Sequence, residues 1–105
     1  MILTNTDNIP GYKIGKILGI AIGNTVRAKH IGKDISAGLK SIIGGEIRQY
    51  TEMLTDARKE SINRMINNAK ELGADAVINV RFMTSATMGG AAELLAYGTA
   101  VKLGK

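Results

Sequence analysis

Residues 50–73 read YTEMLTDARKESINRMINNAKELG, and the spacing of their apolar positions decides the fold class. Tyr50, Met53, Leu54, Ala57, Met65, Ile66, Ala69 and Leu72 recur at helical intervals and form one stripe, with Ile62 at its margin. Arg58, Lys59, Arg64 and Lys70 lie among the polar positions. Glu60 precedes Arg64 by one turn, where opposite charges support a helix. Gly73 supplies the stop, because glycine takes the left-handed conformation that closes a helix without a Cβ penalty. The segment predicts a long amphipathic helix that needs a sheet to lie on.

On either side the apolar period changes to that of strands. Upstream, Leu18, Ile20 and Ile22 alternate with Gly19, Ala21 and Gly23, which predicts a strand with one flat face. A break in phase near Lys16-Ile17 predicts a bulge, and Pro10-Gly11 marks a turn after a short extended segment around Ile2–Thr6. Downstream, Ala76, Ile78, Val80 and Phe82 alternate with Asp75, Val77, Asn79, Arg81 and Met83. In the last strand Leu95, Tyr97, Thr99, Val101 and Leu103 face one way, and Leu94, Ala96, Gly98 and Ala100 the other. Residues 85–93 read as a loop. Asp34 or Ser36 can cap a shorter helix carrying Ile35, Leu39, Ile42 and Ile43, stopped by Gly44-Gly45. The expected order is β-β-α-α-β-β: one α+β domain over 1–105, two layers, with helices on one face of a mainly antiparallel sheet.

Composition narrows the chemistry. Apolar residues are 45% of the 105 and aromatics only 4%, so the core must be aliphatic. With no cysteine, disulfides, cysteine-based zinc or iron–sulfur ligation and thiol nucleophiles are excluded. The N-terminal residues carry no basic leader or long apolar stretch, and Ile17–Ile22 is too short to span a bilayer, so the cytoplasm is the expected address and no membrane partner is expected. The net charge of +5 is concentrated early: Lys13, Lys16, Arg27, Lys29, Lys33 and Lys40 stand against Asp7 and Asp34 before residue 46. Arg27, Lys29 and Lys33 are the candidate anion-binding set. No aromatic lies beside them to stack bases, so a solvated rim is the expected account and a nucleic-acid partner is not.

Two helices cover one sheet face only. The small apolar side formed by Leu94, Ala96, Gly98 and Ala100, together with Gly19, Ala21 and Gly23, is a candidate surface for self-association in a closed ring or dimer.

The run Gly44-Gly45-Glu46 with Tyr50 and Leu54, then Ala57-Arg58, Met65, Ala69, Leu72-Gly73-Ala74-Asp75-Ala76-Val77, and finally Gly98-Thr99-Ala100-Val101, resembles the YbjQ-like family of small bacterial and archaeal proteins from about Thr4 to Leu103. The resemblance implies a small α/β domain that assembles as a ring-like homopentamer, in a family described as heavy-metal-binding. A metal ion is thus the candidate cofactor. Lys33-Asp34 matches the family pattern, His30 stands where an Asn is usual, and Asn79, Arg81 and Met83 replace the acidic residues of many members.

Soft metals prefer sulfur and imidazole ligands, and His30 with Asp34 is the one candidate pair. Met53 and Met65 belong to the helix stripe, and Met83 and Met88 are read as packing. No paired carboxylates, nucleophile–base set or phosphate-binding lysine motif is present, so no enzyme is expected. A competing enzyme reading would place Glu93, Tyr97, Arg48 or Arg81 in a cleft between subunits. The preferred reading is a homo-oligomeric, pentameric binding or structural protein of uncharacterised ligand, with a metal ion as candidate. The alternative is an anion- or nucleic-acid-binding ring using the N-terminal basic residues.

Overall fold

A computed structural model of the chain describes residues 1–28, 45–86 and 91–104. Its elements are β1 (Ile2–Leu3), β2 (Lys13–Ala28), α1 (Gly45–Glu71), β3 (Ala76–Ala86) and β4 (Ala91–Gly104). The sheet order is β1-β3-β4-β2, with β1 parallel to β3 and both other pairings antiparallel. The fold is α+β with a mixed sheet and α1 across one face. The shorter helix expected over residues 34–43 lies outside the described residues.

Local chemistry explains the boundaries. Helix α1 ends as its glycine predicts: Gly73 has φ 83°, its N–H donates to the Lys70 carbonyl at 2.9 Å, and the Ala74 N–H donates to the Ala69 carbonyl at 3.0 Å. These two bonds are a Schellman closure, completed by Ala74 packing near Ala69 in the same apolar cluster. Replacing Gly73 by Ala forces a Cβ into this conformation and should cost about 1–2 kcal/mol, measured as a lower urea midpoint with unchanged slope. Pro10-Gly11 forms a type II turn, with Gly11 at φ 86° and the Tyr12 N–H donating to the Ile9 carbonyl at 3.1 Å.

The expected bulge in β2 is present and has a companion. Gly15 and Leu18 are each left over in the ladder with β4. Leu18 thereby packs with the helix-side core while Ile17 stands on the opposite face, two-thirds exposed (67%). β2 runs past Gly23 to Ala28, and β3 and β4 continue to Ala86 and from Ala91, consuming both ends of the segment read as a loop. Ladder hydrogen bonding carries these Ser and Ala residues into strands that their own side chains would not predict.

A further bulge changes which residues share a face. Ile78 lies opposite Thr99 and Arg81 opposite Tyr97, so Asn79 and Val80 together face Gly98. Asn79 takes φ 53°, a conformation asparagine tolerates better than most residues. Ala76 and Ile78 remain on one side, whereas Val80 and Phe82 turn to the helix side. Simple alternation had placed all four together, and the extra residue is the physical reason it fails.

Two cores result. Between α1 and the sheet lie Ala21, Met65, Ala69, Val77, Ala96 and Ala100. On the reverse face, at one end only, Ile9 is brought over Ala76, Ile78 and Val101 by the N-terminal segment. That segment is pinned to β3 by backbone bonds from Thr4 to Val77 and from Val80 to Thr4.

Candidate functional site

Helix α1 approaches the sheet through small residues. Ala57, Ser61, Met65 and Ala69 follow one another at four-residue intervals along its buried ridge. Opposite them, a Cβ at Gly23 would run into the Ser61 carbonyl oxygen and the Met65 amide nitrogen. Ser61 is fully buried, with Oγ 2.9 Å from both the Ala57 and Leu94 carbonyl oxygens and 3.0 Å from Thr25 Oγ1. Ser61 Oγ donates toward Thr25 Oγ1 and these two carbonyls, its single proton serving one of them at a time, so both buried hydroxyls have partners.

The same helix closes part of the free edge of β2. The Ile22 N–H donates to Asn68 Oδ1 at 2.8 Å, and Arg64 Nη1 donates to the Asn24 carbonyl at 2.6 Å while its Nε donates to Glu60 at 3.1 Å. An edge so occupied does not recruit another strand there.

The sheet face away from α1 is different. Ile20 opposite Thr99, Ile22 opposite Tyr97, and Leu95 opposite Met83 make successive rungs of it, with Ile17 at one end and Val26 at the other. Ile20 is 66% exposed and Ile22 48%, and Val26 and Met83 are exposed as well. Thr99, Arg81, Asn24, Glu93 and Ser85 interrupt the apolar rungs, and Asn24 Nδ2 donates to Glu93 Oε2 at 3.5 Å within this face. Ile9 covers only the far end, so a broad apolar surface stays in water.

On the helix side, where α1 lies mainly over β2 and β4, a groove of about 600 Å³ remains beside β3. Leu3, Ile62, Met65, Val80 and Phe82 form its apolar walls, and Thr4, Asn5 and Arg81 its polar rim.

These surfaces correct the expected interface. Leu94, Ala96, Gly98 and Ala100 are buried inside the chain, on the side where α1 lies, and so are Ala21 and Gly23. Small side chains allow the helix its close approach, so the flat face is the covered one and the large-residue face is open. Met83, read as packing, stands 54% exposed on that open face. Of the anion-binding set, Arg27 is exposed near the end of β2, while Lys29 and Lys33 lie outside the described residues, as do the metal candidates His30 and Asp34. Glu93, Tyr97 and Arg81 occupy neighbouring rungs, but Glu93 holds Asn24, and the Arg81 guanidinium swings to the Asn5 carbonyl at 2.8 Å. Arg48 is exposed on α1 and joins none of them.

Among the described residues no three His, Asp or Glu side chains converge to hold a metal. Asp75 is already engaged, accepting from the Leu103 N–H at 2.9 Å and lying 3.7 Å from Lys102 Nζ. The described donors do not fit a metal centre. No helix among these residues is long and apolar enough to cross a membrane.

A family model described as "Putative heavy-metal-binding" matches residues 1–104. The chain belongs to this YbjQ family. Its relatives include UPF0145 proteins from Methanoculleus marisnigri, 67% identical over 98% of this chain and 96% of the relative, and from Archaeoglobus fulgidus, 68% identical over 98% and 95%. Another, from Colwellia psychrerythraea, is 61% identical over the full length of both. The crystal structure of a DUF74-family protein of unknown function from Pediococcus pentosaceus superposes with a TM-score of 0.63, covering 99% of this chain and 98% of that one. At 14% identity, that likeness establishes a shared fold alone. The YbjQ fold therefore extends across bacteria and archaea as a unit of about this size.

Ser61 and the Ile20–Ile22 face are what the sequence reading missed. A polar residue inside an apolar helix stripe was the available signal for Ser61, and the large residues of β2 were visible but assigned to the covered side.

Proposed function

We propose that this YbjQ-family chain is the subunit of a ring-like homopentamer, a binding or structural protein whose subunits meet through the sheet face opposite α1. The exposed row Ile17, Ile20, Ile22 and Val26, continued by Leu95 and Met83, carries this reading. Left in water, such a face favours association, since each buried methylene contributes about 0.8 kcal/mol. A second copy is the simplest complement, and where this face of one subunit meets a different surface of the next, the head-to-tail contact closes into a ring when the rotation permits. Native mass spectrometry tests this: one discrete species near five times 11.1 kDa supports it, and a monomer at micromolar concentration overturns it.

Metal binding enters through the family description. The candidate ligands the sequence offers for such a site are His30 and Asp34. Equilibrium dialysis against Zn²⁺ and Cd²⁺ should then find binding in the wild type and its loss in His30→Ala. Undiminished uptake by the variant removes His30 from the account.

A further inference from the structure

The groove beside β3 lies on the opposite side of the sheet from the proposed subunit contact and needs its own explanation. Its walls come from three elements: Leu3 from β1, Ile62 and Met65 from α1, and Val80 and Phe82 from β3. The Asn79 bulge creates it, by turning Val80 and Phe82 toward the helix side where α1 does not reach over them. Phe82 is left 47% exposed there. A half-exposed phenyl ring at the mouth of an apolar groove is a surface that water solvates poorly.

Among the described residues, the rim carries one cation. Arg81 pairs with Tyr97 in register, and its Nη1 donates to the Asn5 carbonyl at 2.8 Å and to the Val80 carbonyl at 3.0 Å, which holds the guanidinium beside Asn5, a residue of the groove's rim. A guanidinium has five N–H donors, and these two bonds use only Nη1. Among the described residues, the ion pairs are Arg64 with Glu60 and Lys102 with Asp75, so no carboxylate neutralises Arg81. Apolar walls with a single anchored guanidinium match an aliphatic chain ending in a carboxylate, which accepts two parallel N–H bonds. A phosphate ester would call for more positive charge than this rim provides.

We infer that the groove between β1, α1 and β3 binds a small amphipathic carboxylate, an unbranched fatty acid of about ten carbons, with its chain against Leu3, Ile62 and Phe82 and its head on Arg81. Its volume lies within the range of small-molecule sites.

The test is methyl NMR of the intact assembly titrated with decanoate, octanoate, decanol and decylammonium, all below their micellar concentrations. Decanoate should give saturable shifts, one site per chain, at the methyls of Leu3, Ile62 and Val80. Octanoate should bind about tenfold more weakly, because two buried methylenes are lost. Arg81→Gln should weaken decanoate about tenfold or more and leave decanol unchanged. Phe82→Ser, at an exposed position, should weaken both and serves if Arg81→Gln fails to fold. Decylammonium binding as well as decanoate, shifts at Ile20 and Ile22 in place of the groove methyls, or no saturable shift would each overturn the inference.

Discussion

Gly23→Val should unfold the domain or lower its melting temperature by at least about 8 °C. A Cβ at this position meets backbone atoms of α1, the Ser61 carbonyl, the Arg64 carbonyl carbon and the Met65 amide, which cannot rotate aside. The helix would have to lift from β2. Lifting it opens the Ser61–Thr25 contact and the bonds from Asn68 to Ile22 and from Arg64 to Asn24. Overpacking alone costs about 1–3 kcal/mol, and losing bonds to buried Ser61 and Thr25 adds a further 1–3 kcal/mol. For a domain of this size, each kcal/mol lowers the melting temperature by about 4–8 °C. Gly104→Ala is the control, since a Cβ there meets only ordinary contacts of 3.5 Å or more and should change stability by less than about 0.5 kcal/mol. Differential scanning calorimetry reads both. A Gly23→Val protein as stable as the control would show that α1 does not sit on β2 as described.

The second large effect concerns assembly. Ile20→Lys combined with Ile22→Lys should turn the proposed pentamer into folded monomers, raising the dissociation constant by about a thousandfold or more. Both side chains are exposed in the isolated chain, so lysine there leaves the monomer's own packing largely intact. In a subunit contact, by contrast, each ammonium loses water without gaining a partner, and two such losses exceed about 4 kcal/mol. Sedimentation velocity measures the mass and circular dichroism the fold. An unchanged oligomer would place the contact elsewhere, and loss of the helical signal would mean that these residues serve the chain's own core. Ala96→Lys makes a pointed comparison: with Ala96 fully buried inside the chain, it should unfold the protein before it affects any contact.

Much of this fold was legible because it is governed by neighbours in the chain. The stripe from Tyr50 to Leu72, the Gly73 stop and the Pro10-Gly11 turn depend on periodicity and on φ preferences within a few residues, and the helix end and the turn are found as read. The β2 bulge also showed itself as a break in alternation. By contrast, the Asn79 bulge left a pattern that looked uninterrupted, since Val80 and Phe82 are apolar on either face. The ends of β3 and β4 were misjudged because ladder bonds to a distant partner, and not local propensity, extend them.

By itself, then, the sequence determined the period of each element, the turns, the aliphatic core, the lack of thiol chemistry and membership of the YbjQ family. Only the tertiary structure decided which face of the sheet is covered. Alternation defines two faces, one with Gly23 and Ala96 and one with Ile20 and Ile22, but it does not say which of them a helix will choose. A helix lying this close to a strand can rest only where side chains are nearly absent, so α1 took the small face. The isoleucines, which hydrophobicity alone would send inside, were left outside for whatever covers them next.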